Sequence, residues 1–174
     1  MARDIWVISD THFNHANILN FNDSIGNPVR SFDSVQEMNE IMIRNWNQVV
    51  RPGDEVYHLG DVLFGTNKRD WMAKNFPRLM GSKRLIVGNH DNVKELTLSG
   101  HFQKVMMWRQ FKDLGLLLTH VPVHPSTLKE GRFGDLTPIN VHGHIHQNKS
   151  PEGPYKCVCV EQTNYTPVNI EELK

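Results

Sequence analysis

The sequence predicts an α/β sandwich with parallel and antiparallel parts, and three observations carry that expectation. Short apolar runs rich in β-branched residues alternate with helix-period segments up to about residue 87. From residue 104 onward, strand-like runs follow one another with no helical pattern between them. Five of the runs also stop at a short loop holding Asp, Asn or His. In open α/β sheets ligands bind outside the carboxyl ends of strands, so five such loops can converge on one site.

Residues 4–9 (DIWVIS) read as a buried strand that stops at Asp10. Ser34 and Glu37 form a capping-box pattern. Behind it Val35, Met38, Ile41, Met42, Trp46 and Val49 recur at helical spacing until Pro52-Gly53-Asp54. Residues 55–59 (EVYHL) form a second strand, ended by Gly60-Asp61. A second helix runs from about residue 67 towards 76, with Trp71, Met72 and Phe76 inward and Pro77 as its breaker. Residues 84–87 make a third strand, ended by Gly88-Asn89-His90-Asp91. Further strands are expected over 104–108, 114–118 and 139–142, the last two ended by Thr119-His120 and Gly143-His144-Ile145-His146. Residues 155–160 alternate and should lie at or near a sheet edge, and 169–173 make a closing helical turn.

The chain has 174 residues, 39% hydrophobic and 22% charged, which fits one domain over residues 1–174 with a real core. Nineteen basic and nineteen acidic residues cancel, which disfavours a long nucleic-acid backbone as partner without excluding a local basic patch. Arg3 and Asp4 interrupt any signal-peptide core, and no apolar run is long enough to span a bilayer. A cytoplasmic protein with no membrane partner is the expectation. Cys157 and Cys159 lie two apart in a strand, too far for an easy disulfide, and fit free thiols in a reducing compartment. A zinc site on that pair lacks two further sulfur partners.

Ten histidines are many for this length, and they cluster. The five loops read Asp10-Thr11-His12, Gly60-Asp61, Gly88-Asn89-His90-Asp91, Thr119-His120 and Gly143-His144-Ile145-His146. Each alone is commonplace: a capped turn, a Gly-Asp turn, a half-exposed strand. Their conjunction, each after an apolar run, is specific. Carboxylate, carboxamide and imidazole together suit hard and borderline divalent ions, and the lack of thiolates argues against a soft metal.

In this order the five loops resemble the calcineurin-like metallophosphoesterases, whose signature is D-x-H, G-D, G-N-H-[DE], a lone His, and G-H-x-H. The match spans residues 10–146. The runs S-D-T-H-F-N-H-A-N-I, V-Y-H-L-G-D and N-Y-T-P-V also resemble a small bacterial and phage-type single-domain subgroup. The resemblance implies two mixed β-sheets packed as a sandwich flanked by helices, in four layers. It implies that Asp10, His12 and His146 hold one metal ion, that Asn89, His120 and His144 hold a second, and that Asp61 bridges them. His90 would contact the phosphate and help the leaving group depart. His15, close in sequence to the first metal loop, and Asn89 are further candidate substrate contacts. Two ions can clamp the attacking and leaving oxygens of an in-line displacement, with a hydroxide held between them as nucleophile. Mn²⁺ is the first choice of metal; Fe, Zn, Ni and Co also fit the ligand types.

The remaining histidines divide. His58 reads as a packed or supporting residue behind the site, His142 as pointing into the scaffold, His124 as lining or covering the pocket, and His101 as surface. Asp91 orients His90 or caps the next turn. Arg30 and Arg132 are weaker candidates for a second phosphate, with exposure at the surface the stronger reading of each.

The implied reaction is hydrolysis of a small or accessible phosphodiester, such as a nucleotide or cyclic nucleotide, because no insertion is long enough for a cap domain. Phosphomonoesters, including phosphoproteins, and nucleic acids are the alternative substrates. A non-catalytic metal-binding scaffold is the alternative of a different class; such proteins lose ligands or the histidine corresponding to His90, whereas this chain keeps all of them. An amidase of the metallo-β-lactamase kind would need an H-x-H-x-D-H run, which is absent. Assembly as a homo-oligomer stays open.

Overall fold

A computed structural model describes residues 3–129 and 138–174. Among these residues nine strands form two mixed sheets. The first has the order β4-β3-β2-β1-β9, comprising β1 (Ile5–Ile8), β2 (Glu55–His58), β3 (Ser82–Ile86), β4 (Lys104–Met106) and β9 (Val168–Asn169). Strands β1 to β4 run parallel and β9 antiparallel. The second has the order β5-β6-β7-β8, comprising β5 (Trp108–Phe111), β6 (Leu116–Thr119), β7 (Ile139–His142) and β8 (Tyr155–Cys157). Here β5 is antiparallel to β6, while β6, β7 and β8 are parallel.

Alternation along each strand divides the interior into two cores. Val7 of β1, Tyr57 of β2 and Ile86 of β3 face Leu116, Leu118 and Val141 of the second sheet. Ile8, Val56 and Leu85 face the other way, against Met38, Met42, Ile43 and Trp46 of α1 (Val35–Val49) and Met72 of α2 (Lys68–Asn75). Burying each large apolar side chain contributes about 1.5–3 kcal/mol, so this double-faced sheet is the mechanical base of the molecule. Trp46 is wholly buried, with its indole N–H donating to the Met80 carbonyl at 2.8 Å.

Most elements fall where the sequence puts them, with local corrections. Ser34 Oγ accepts from Glu37 N at 3.1 Å, but the Glu37 carboxylate returns to Asp33 N, one residue before the cap. Ile43, rather than Ile41, carries the buried stripe of α1. The strand expected over 104–108 is two: β4 ends at Met106 in the first sheet, and β5 begins at Trp108 in the second. Residues 112–114 form a 3₁₀ turn ended by Gly115 in the left-handed region (φ 64°), so β6 starts later than expected. The helix α3 (Val93–Leu98) lies outside the expected elements, although Asn92 and Glu95 form a cap pair, Asn92 Oδ1 accepting from Glu95 N at 3.1 Å. Among the described residues no helix is long and apolar enough to cross a membrane.

The alternating run 155–160 stays in the edge strand β8 only to Cys157, then crosses to the first sheet. Ser9 N donates to Val158 O at 3.0 Å and Val160 N to Ser9 O at 3.2 Å. This crossing clips the carboxyl end of β1 to the second sheet.

Candidate metal centre

The loops after β1, β2, β3, β6 and β7 meet at one place. Asp10, His12 and His146 offer ligand atoms within 4.8 Å of one another, and so do Asp61, His120 and His144. Asp61 Oδ2 lies between the groups, 3.7 Å from His12 Nε2 and 3.6 Å from His120 Nε2. Asn89 completes the second group, its Oδ1 2.8 Å from His120 Nε2 and 2.9 Å from His144 Nδ1.

The local backbone explains how neighbouring residues reach different groups. In a strand His144 and His146 would share a face. Instead both sit in the left-handed region, at φ 71° and 52°, and so do Asp10 (56°), His12 (46°) and Asp61 (54°). Such conformations cost about 1–3 kcal/mol each and cluster where function requires a particular side-chain direction. The glycines are equally constrained. A Cβ at Gly60, itself at φ 99°, would meet the backbone of Gly88, and one at Gly143 would meet Ser9 and the Asp10 carboxylate.

Hydrogen bonds aim the donor atoms. His120 Nδ1 is 2.7 Å from the Leu59 carbonyl, so a neutral His120 donates there and turns a bare Nε2 towards Asn89 and Asp61. His146 Nδ1 lies 2.9 Å from Glu161 Oε1, which leaves its Nε2 facing Asp10 and His12. Asp10 Oδ2 accepts from Ser9 Oγ (2.6 Å), His144 N (2.8 Å) and Cys159 Sγ (3.3 Å). Its Oδ1 and His12 Nε2 are buried with no hydrogen-bond partner and lie 3.8 Å apart. Orphaned buried polar atoms are costly unless something polar or charged sits among them. A cation satisfies both.

The electrostatics agree. Burial would raise the Asp10 carboxyl, but His12, His120, Ser9 and the His144 N–H outweigh it and hold the group below the usual carboxylate range. Burial pushes His12 down to about 4 against the pull of Asp10, and it lowers His144 as well, so these rings present lone pairs at neutral pH. Burial raises Asp61 despite the opposing pull of His120.

A rim surrounds the cluster. The His15 ring stacks on Phe64 at 4.2 Å between centroids, with its Nδ1 3.3 Å from His12 Nδ1. His90 is exposed, its ring 5.2 Å from Phe64 and 6.2 Å from His12, while its backbone N–H donates to Asp61 Oδ1 at 2.9 Å. Asp91 neither orients His90 nor caps the following turn. It accepts from the backbone N–H groups of Asp61, Val62 and Gly88, tying two metal loops together. His58 is buried behind the site: Gly60 N donates to its Nδ1, so Nε2–H donates to Thr11 Oγ1, which donates to Val62 O. Burial holds it near 3. His142 is buried in the scaffold, bonded to Ser150 and to the Gly143 carbonyl. His124 caps a 3₁₀ turn through Ser126 N and is outside the cluster, and His101 packs on Phe76 at 5.2 Å rather than standing free at the surface.

Arg30 is the clearest correction. It is neither at the surface nor turned to a ligand: wholly buried, it donates to the carbonyls of Asp10 (2.6 Å) and Thr11 (2.8 Å) and to Glu161 (2.8 Å). Glu161, which the motif reading misses, links Arg30 to His146. Burial would raise its carboxyl, but His146 and Arg30 hold it below the usual range. The only hint in the sequence is an acidic residue ending an otherwise apolar run, VCVE. Arg132 lies outside the described residues.

Comparisons with known proteins agree with this fold. Residues 4–155 match the model of the calcineurin-like phosphoesterase superfamily domain. The chain is similar to an uncharacterized protein of Methanocaldococcus jannaschii, 36% identical over an alignment of 177 positions that covers 97% of this chain and 88% of the relative. It is also similar to the gene 66 protein of Mycobacterium phage L5, 27% identical, covering 81% and 76%. The crystal structure of a protein of unknown function from Aquifex aeolicus superposes with a TM-score of 0.72 at 28% identity, covering 99% of this chain and 98% of that one. The chain belongs to the calcineurin-like phosphoesterase superfamily.

Proposed function

We propose that this chain is a two-metal phosphodiesterase acting on small nucleotide-type or cyclic-nucleotide esters, in the cytoplasm. Asp10, His12 and His146 would hold one divalent ion and Asn89, His120 and His144 the other, with Asp61 available to both. When bound, the two ions polarise the phosphoryl oxygens and bring the pKa of water down to about 7. The observation that carries the reading is the buried, partnerless pair Asp10 Oδ1 and His12 Nε2 beside the Asp61 carboxylate. The protein's own part is to hold seven donors in place on strained loops and to present His90. From the exposed rim, the His90 ring meets a phosphoryl oxygen and donates a proton to the leaving group. His15 and Asn89 make the other substrate contacts. Asn89, His90 and His144 are exposed, so the cluster faces solvent and suits an ester that needs no cap to enclose it.

The test is hydrolysis of bis-p-nitrophenyl phosphate and p-nitrophenyl phosphate by metal-stripped protein, with and without Mn²⁺. Faster metal-dependent cleavage of the diester supports the reading, and faster monoester cleavage replaces it with a phosphatase. Asp61→Asn should lose bound metal and turnover together. Full activity in that variant would remove the cluster from the chemistry.

A further inference from the structure

A groove of about 460 Å³ opens directly beside the cluster, and its two ends differ in chemistry. At one end are Asn89 and His120, both donors of the second metal group. The remainder is mostly apolar, built on Met107, Trp108, Val121 and Val123, with Thr119 and Thr127 as its polar side chains. Three of these side chains stand in water: Met107 is 68% exposed, Trp108 56% and Val121 44%. Exposed apolar surface gathered in a concave site next to polar groups marks ligand binding.

The register ties this wall to the site. Trp108 of β5 lies directly opposite Thr119 of β6, the residue before His120, so the indole starts one residue away from a metal donor. Thr119 turns no free hydroxyl into the groove, since its Oγ1 donates to the Val121 carbonyl at 2.6 Å and accepts from Asn140 Nδ2 at 2.9 Å. Among the described residues no Lys, Arg, Asp or Glu lines it.

We propose that this groove is the specificity site for a nucleobase joined to the scissile phosphate, the base lying against the Trp108 indole; this deepens the phosphodiesterase reading and rests on it. The occupant must be continuous with a phosphoryl group, because Asn89 and His120 belong to both places. An uncharged occupant fits, because among the described residues no cation lines the groove to receive a second phosphate. A flat π-face in an apolar setting selects a planar ring over a sugar, and stacking tolerates any of the bases.

The experiment compares 4-nitrophenyl thymidine 5′-phosphate with methyl 4-nitrophenyl phosphate, which share a leaving group and differ only in the retained arm. The Mn²⁺-loaded protein should favour the thymidine ester in kcat/KM. Trp108→Ala should reduce that preference by about 5- to 150-fold, the equivalent of ~1–3 kcal/mol of stacking. Trp108→Phe should keep part of it. Val121→Glu, which places a carboxylate in the groove without touching the indole, should also reduce it. A preference that survives both Trp108→Ala and Val121→Glu overturns the proposal. Calorimetry with AMP, ribose 5-phosphate and octyl phosphate reads the groove without turnover. AMP should bind more tightly than ribose 5-phosphate, and the difference should collapse in Trp108→Ala. Octyl phosphate binding as tightly as AMP would replace the base with an alkyl chain and overturn the nucleobase assignment. If neither ester is cleaved while the AMP preference still follows Trp108, the enzymatic reading fails and the groove stands.

Discussion

Glu161→Gln changes one carboxylate oxygen to an amide nitrogen at constant volume, so it isolates the charge that joins His146 to Arg30. The Glu161 side chain is 3% exposed and that of Arg30 is 0% exposed, and one carboxylate oxygen serves both, at 2.8 Å from the guanidinium and 2.9 Å from the imidazole. Removing one partner of a buried ion pair costs about 3–5 kcal/mol, because the other charge is left behind. Glutamine keeps an acceptor, which places the expected loss near the lower end, ~3 kcal/mol. With a urea m-value of about 1–3 kcal/mol/M, the unfolding midpoint of the metal-free protein should fall by about 1–3 M.

The pH dependence gives an independent check on the same variant. Burial would lower the His146 pKa, but Glu161 outweighs it and raises the group above its ordinary 6.5. A raised histidine contributes stability that is complete below 6.5 and is lost as pH rises through the folded value. The lowered Glu161 contributes stability that is complete above its ordinary 4.5 and is lost as pH falls through the folded value. The penalty of Glu161→Gln should therefore be largest between those two pH values and shrink on either side, with the Arg30 share persisting at high pH. Metal titration should show binding weakened by about 10–100-fold, since the ring exchanges a charged orienting partner for a neutral one. A midpoint shift below about 0.3 M at pH 5.5, with unchanged metal affinity, would refute the reasoning.

Two other outcomes follow from the same structure. His90→Ala should keep its metal, because the backbone N–H and not the ring bonds to Asp61. It should nonetheless lose about 10²–10⁴-fold in turnover, most with poor leaving groups; an unchanged rate on an alkyl leaving group would make the ring structural. Burial pushes Lys83 from 10.5 down to about 8, though its ammonium donates to the carbonyls of Leu79 and Gly81. Between those values the unfolded chain binds the extra proton, so this residue makes stability rise with pH from about 8 to 10.5. Urea unfolding at pH 7, 9 and 10 should show a steeper rise in the wild type than in Lys83→Met, and parallel curves would remove Lys83 as the cause.

Several parts of the architecture were written in the amino-acid order alone. The apolar runs that become β1, β2, β3, β6 and β7 each end at an abrupt polar residue, and the helical period of α1 is anchored by Ser34. Local pattern suffices there because burial on one face or both is a property of a few consecutive residues. The grouping of Asp10, His12 and His146 apart from Asn89, His120 and His144, with Asp61 between them, came instead from the likeness of the five loops to a known signature. The structure supplies its physical cause in five left-handed backbone positions.

What only the tertiary structure decided depends on contacts between distant segments. Glu161 reaches His146 and Arg30 because the chain crosses from β8 back to β1 at Ser9, a pairing across about 150 residues that no local period encodes. Arg30 reads as a surface charge until its guanidinium is found between two metal-loop carbonyls. The break at Met107, which puts β4 and β5 in different sheets, is likewise invisible in a continuous apolar run, and it is this break that brings Trp108 beside His120. Sequence determined which atoms could bind a cation, because that is a matter of side-chain chemistry. Packing decided where those atoms point and what backs them, because direction is set by neighbours the chain meets only when folded.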